Sequence, residues 1–164
     1  MVKFGFSTRK KNPISKFIRW ITGSKASHAW LLVENSFLGE HMVMEATEGG
    51  FRLYAYSNFE RDNDIVAVIA PKAPLDEGVR AAVKWVGKSN YDYTGLFGAA
   101  FVQLGKWLKM KWRNPFNVTS AMFCSEAVVY VMKVAKYPGA DSLDPSATSP
   151  QDLLDFLQRN QGRC

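Results

Sequence analysis

The sequence predicts an α+β fold, an antiparallel sheet packed against a helix that carries a cysteine, and three observations lead there. Four short apolar runs with the two-residue alternation of strands, VKFGFS, SHAWLLVE, HMVMEAT and DIVAVIAP, fall in the first 71 residues. Two longer segments, LDEGVRAAVKWVGK and SAMFCSEAVVYVMKVAKYPG, repeat their apolar residues at the helical spacing. At 164 residues with 47% hydrophobic and 13% aromatic content, the chain can bury a sizeable core. No repeat or low-complexity linker divides it, so one domain over 1–164 is expected.

Taken in order, VKFGFS is the first strand. NPISKFIRWITGS then reads as a short helix: Asn12 caps it, Pro13 takes the first helical position, Ile14, Phe17, Ile18 and Ile21 share a face, and Gly23 stops it. Lys16 and Arg19 fall on its other side. SHAWLLVE and HMVMEAT are strands joined by the turn-like NSFLG, and DIVAVIAP is a strand ended by proline. In LDEGVRAAVKWVGK, Val79, Ala82, Val83 and Val86 fall at helical spacing, so a helix is expected. Glycines interrupt the long segment from Asn90 to Val118, which is expected to be mostly irregular with some helix. The cysteine helix starts near Ser120, turns Ala127, Val128, Val131, Met132 and Ala135 inward, and ends at the YPG of 137–139. In TSPQDLLDFLQR, Ser149 is the N-cap, Pro150 follows it and Asp152 lies in the first turn.

A formal net charge of +6 and a pI near 9.4 favour contact with an anionic surface. The two cysteines, Cys124 and Cys164, do not make a disulfide framework, and a reducing compartment is the simplest expectation. With no signal-peptide pattern at the start and no run approaching 18 apolar residues, a cytoplasmic protein is expected, and the NVT sequon at Asn117 has no glycan to receive. Two histidines and two scattered cysteines do not have the spacing of a metal site, and the glycines of GLFGAAFVQLG do not match a phosphate-binding loop. No cofactor or metal is expected.

Chemistry concentrates in the scarce residues. A cysteine in the first turn of a helix lies near unpaired N–H groups and the positive end of the helix dipole, which favour thiolate. A lone cysteine on an amphipathic helix is also what a small buried hydrophobe looks like, so position alone does not decide. A nucleophile needs a base, and the base an orienting group. His28 heads a strand and is the candidate base. A hairpin centred between Ser36 and Phe37 puts Glu45 opposite His28, since 28 + 45 equals 36 + 37, and makes Glu45 the candidate orienter. A slip of one residue would turn Glu45 to the other face. His41 is expected to face solvent, and Ser125 and Glu126 to be structural. In GKWLKMKWRN, the basic residues Lys106, Lys109, Lys111 and Arg113 are interleaved with Trp107, Leu108, Met110 and Trp112. That pattern suits a substrate or membrane contact, or equally a solvated basic face over a tryptophan pair.

The ordered set PISKFIRWITGSKASHAWLLVE, VMEA, NYDYTG, FCSEAVVYV and TSPQDL resembles the permuted papain-like cysteine hydrolases of the NlpC superfamily, the YiiX/YebB-like group. In that group the histidine strand precedes the cysteine helix, as His28 precedes Cys124 here. The resemblance implies Cys124 as nucleophile, His28 as base, Glu45 as the third polar residue, and a role near the nucleophile for Tyr91, with Tyr93 its rival in the same motif. It implies acyl transfer through a Cys124 thioester, with backbone N–H groups at the helix start holding the oxyanion. The expected substrates are peptides, including cell-wall peptides, with acyl groups of lipids at a membrane surface as the alternative. The chain departs from the group at HAW and in the basic segment, and both departures bear on substrate choice. The rival of another class is a non-enzymatic module binding membrane or nucleic acid through its basic surface. For the enzyme, nucleic acid is not an expected partner.

Overall fold

A computed structural model of the protein describes residues 1–10, 24–35, 37–47, 50–87, 118–145 and 147–161. The helix expected after Asn12, the segment with Tyr91 and Tyr93, the basic stretch 106–113 and Cys164 lie outside the described residues. Five strands, β1 (Val2–Arg9), β2 (His28–Val33), β3 (Met42–Thr47), β4 (Gly50–Ala55) and β5 (Asn63–Ile69), form one antiparallel sheet in the order β4-β3-β2-β1-β5. Four α-helices stand among the described residues: α1 (Tyr56–Asp62), α2 (Asp76–Val83), α3 (Val118–Val134) and α4 (Pro150–Gln161). The expected α+β fold and the four expected strands are present. The pair β4 and α1 lies in a stretch to which the sequence assigned no element.

The alternation of each strand sorts its side chains between two cores. Phe4 and Phe6 of β1, Ala29 and Leu31 of β2, Met44 of β3 and Phe51 of β4 face one side. There they meet Val128, Val129, Val131 and Met132 of α3, Ala82 of α2 and Leu153, Leu154 and Leu157 of α4. On the opposite face Trp30, Leu32 and Val43 bury Phe59 of α1, with Tyr54, Tyr56 and Ile65 packed against them. The sheet is therefore covered on both sides, and α1 is what allows a second apolar face.

Two close approaches require glycine. Gly5 pairs with Trp30 across β1 and β2, and a Cβ there would lie 2.4 Å from the indole ring. Gly78 of α2 sits against α3 so closely that a Cβ would stand 2.1 Å from the Val131 carbonyl oxygen. With Leu75, Gly78 and Ala82 at the centre of the buried face, Val83 is turned a further 100° around the helix and is 45% exposed. The helix ends at Val83, short of the Val86 expected within it, and Val79 and Val86 are partly buried against the core. Ser149 and Asp152 form the expected N-terminal box of α4, Asp152 N–H donating to Ser149 Oγ at 3.2 Å and Ser149 N–H to Asp152 Oδ2 at 3.0 Å.

Candidate active site

Cys124 lies on α3, six residues beyond Val118. This corrects the expected placement in the first helical turn. No proline or glycine stands between Pro115 and Pro138, so helix propagates upstream of Ser120 to Val118. The start of α3 is then about 9 Å from Cys124 at helical rise, and its free N–H groups are too far to serve the sulfur. A different donor does so. The backbone N–H of Ala29 points at Cys124 Sγ from 3.4 Å, linking positions 95 residues apart.

His28, the first residue of β2, also reaches the sulfur through a side-chain hydrogen bond. Its Nε2 is hydrogen-bonded and ion-paired to Glu45 Oε2. The observed register, Leu31↔Met44 and Leu32↔Val43, is two residues removed from the one that sets position 28 opposite 45. A slip of two keeps every side chain on its expected face, so Glu45 still meets His28 along the diagonal between the strands. Phe59 of α1 packs beside the imidazole with ring centroids 6.3 Å apart.

Glu45 has further partners that the sequence reading missed. Arg52, directly opposite it on β4, donates from Nε at 2.7 Å and Nη2 at 2.5 Å to Oε1. Tyr54 donates its hydroxyl to the same oxygen at 3.0 Å, and the Arg52 guanidinium lies 4.6 Å from the Tyr54 ring centre. The signal was present in the sequence: TEGGF has the composition of a hairpin turn, which sets Glu45 and Arg52 as opposing cross-strand charges.

The electrostatics follow from this arrangement. Burial disfavours the imidazolium of His28, but the charge and hydrogen bond of Cys124 and the hydrogen bond and charge of Glu45 outweigh it, and its pKa rises to about 10. Burial likewise opposes the Glu45 carboxylate, whose side chain is 2% exposed, but His28 and Arg52 hold it well below the usual carboxylate range. Burial and the neighbouring carboxylate push the Tyr54 phenol up, so it remains a donor. The arrangement can keep a proton on the imidazole, between the Cys124 sulfur and the Glu45 carboxylate.

His41 is exposed, as expected, and its Nδ1 accepts the Asn35 N–H at 3.4 Å. Ser125 is fully buried and donates to the Thr148 carbonyl at 2.6 Å, while Glu126 is buried, and desolvation together with Asp144 raises its pKa to about 7. Among the described residues no cluster of three His, Cys, Asp or Glu could hold a metal ion, and no helix is long and apolar enough to cross a membrane. Comparison with protein-family models, with curated proteins and with solved structures finds no match to the chain.

Proposed function

We propose that the protein is a cysteine hydrolase or acyltransferase of permuted papain-like type that cleaves an amide or ester bond. The observation that carries the reading is the meeting of a cysteine, a histidine and a carboxylate from α3, β2 and β3, in the order sulfur, imidazole, carboxylate. A packing cysteine has no need of a buried imidazole backed by a buried ion pair, because each buried charge costs free energy unless it is matched.

Cys124 Sγ attacks the substrate carbonyl, and His28 holds the proton that the thiol gives up. As the tetrahedral intermediate collapses, His28 passes that proton to the departing amine or alcohol, leaving a thioester on Cys124. Water or another acceptor then attacks the thioester with neutral His28 as base, and the thiol is regenerated. Glu45 fixes the imidazole and stabilises its charge, and Arg52 with Tyr54 fixes Glu45. The Ala29 N–H stabilises the sulfur rather than the oxyanion. Tyr91 is carried over as a residue near the nucleophile on the resemblance alone.

Peptides and related amides are the favoured substrates. Lipid acyl groups at an anionic membrane are supported by the basic and aromatic stretch with Lys106, Trp107, Lys109, Lys111, Trp112 and Arg113. Turnover of a panel of peptide amides, simple esters and phospholipid vesicles separates these. Activity on at least one class, abolished by Cys124→Ala, is the expected result. Turnover that survives Cys124→Ala, or none on any class while the protein still binds anionic vesicles, points instead to a binding module.

A further inference from the structure

The segment TSPQ at 148–151, leading into α4, holds the chain next to Cys124 on one side and the chain just ahead of His28 on the other. On one side, the Thr148 carbonyl accepts the hydroxyl of Ser125, the residue after Cys124, at 2.6 Å. On the other, Gln151 Oε1 accepts the backbone N–H of Lys25 at 2.7 Å and of Ala26 at 3.3 Å, the residues just before the strand that begins at His28. We infer that Thr148–Gln151 is a positioning clamp that sets the distance between the helix carrying Cys124 and the strand carrying His28. The inference rests on the function proposed above.

Three features make the clamp rigid. Thr148 is tied back by its N–H and hydroxyl to the Asp144 carbonyl at 2.9 Å and 2.6 Å. Pro150 fixes its own φ at the first helical position, behind the Ser149 and Asp152 box. The Gln151 amide is oriented by its Nε2, which donates to Asp155 Oδ1 at 2.7 Å, so that its oxygen must face the Lys25 and Ala26 amides. The next amide, Ser27 N–H, joins the sheet by donating to the Ser7 carbonyl at 3.1 Å. Three successive amides ahead of His28 are thus held, two of them by Gln151. A nucleophile and base misplaced by about 1 Å lose on the order of a hundredfold in rate, so a device that fixes their spacing bears directly on reactivity.

The test uses the chain labelled with 15N-histidine, in which His28 and His41 give only two imidazoles to assign. Wild-type His28 is expected to titrate well above the ordinary imidazole value. Gln151→Ala is expected to lower the His28 midpoint by about one pH unit, a tenfold loss of proton affinity, as contact with Cys124 loosens. Alkylation of Cys124 by iodoacetamide, in a Cys164→Ser background, should slow about tenfold in parallel. The double variant Gln151→Glu with Asp155→Asn keeps an acceptor aimed at the Lys25 and Ala26 amides while exchanging donor and acceptor within the pair, and should restore the midpoint. Should Gln151→Ala fail to fold, Ser125→Ala cuts the other arm and is expected to lower the midpoint in the same sense. A midpoint unchanged by these variants, with only the melting temperature reduced, or Cys124 alkylation made faster, overturns the clamp and leaves the proposed function standing. A wild-type His28 titrating at the ordinary imidazole value overturns both.

Discussion

The carboxylate of Glu45 divides its two oxygens between His28 and the Arg52–Tyr54 pair, so removing its charge affects both sides of the site. Glu45→Gln keeps the shape and leaves a neutral partner. Breaking a buried pair costs about 3–5 kcal/mol, and this variant should sit near the lower end because Arg52 is half exposed and His28 can release its proton. Activity should fall, but by less than in Cys124→Ala, since orientation contributes less than the nucleophile itself. Wild-type activity in Glu45→Gln contradicts the orienting role. The pair also imposes a pH dependence on stability. The pKa of His28 is raised from 6.5 to about 10, so its contribution is complete below pH 6.5 and is lost as the pH rises towards 10. That of Glu45 is lowered, so its contribution is present above pH 4.5 and is lost as the pH falls through about 2. Urea unfolding of wild type against His28→Gln should therefore show its largest difference between pH 4.5 and 6.5, shrinking on the alkaline side. A difference that stays constant from pH 6.5 to 10 contradicts the pairing.

At the scale of elements, the junction of α2 with α3 is set by backbone contact at Gly78. Alanine there gains up to about 1 kcal/mol in helix propensity, yet its Cβ would meet the Val131 carbonyl at 2.1 Å and force the helices apart. Overpacking costs about 1–3 kcal/mol, so Gly78→Ala should lower the urea midpoint with an unchanged m-value, and a stabilised variant contradicts the close packing. Strands and helices with clean apolar periodicity were legible: β1, β2, β3, β5, α2 and α4 all stand where the spacing of their side chains puts them. The β4–α1 stretch was not, because FRLYAYSNFERD has no apolar period: its strand turns a polar face of Arg52 and Tyr54 to Glu45, and its helix buries Phe59 with exposed charged residues after it. Pattern reading assigns such a face to solvent. The register of β2 with β3 was legible in parity and not in length, since the turn symmetry assumed around Ser36 and Phe37 fixes which face a residue takes more firmly than which residue it opposes.

Across the molecule, the chain brings Cys124 and His28 together from distant positions, and of the candidate site these two were legible because cysteine and histidine are scarce, and Glu45 because strand parity turns it to the face of His28. Arg52 was signalled by the glycines after Thr47, whereas Tyr54, Phe59 and the Ala29 N–H were not legible, because each acts through a contact that exists only after the sheet and α1 have formed. The net charge of +6 carries a separate expectation. Neutralising Lys106, Lys109, Lys111 and Arg113 should weaken binding to anionic vesicles without changing Cys124 reactivity, and the wild-type binding should fade as the screening length shrinks from about 10 Å at 0.1 M salt to about 3 Å at 1 M. Vesicle binding indifferent to salt and to the four substitutions would leave that segment a solvated face. The central claim, that Cys124 is a nucleophile activated by His28, is tested most directly by mass spectrometry of the Cys164→Ser protein after brief exposure to an activated acyl ester. The expected result is a single acyl group on Cys124, strongly reduced in His28→Ala and reduced in part in Glu45→Gln. An unmodified Cys124, or equal acylation with and without His28, contradicts it.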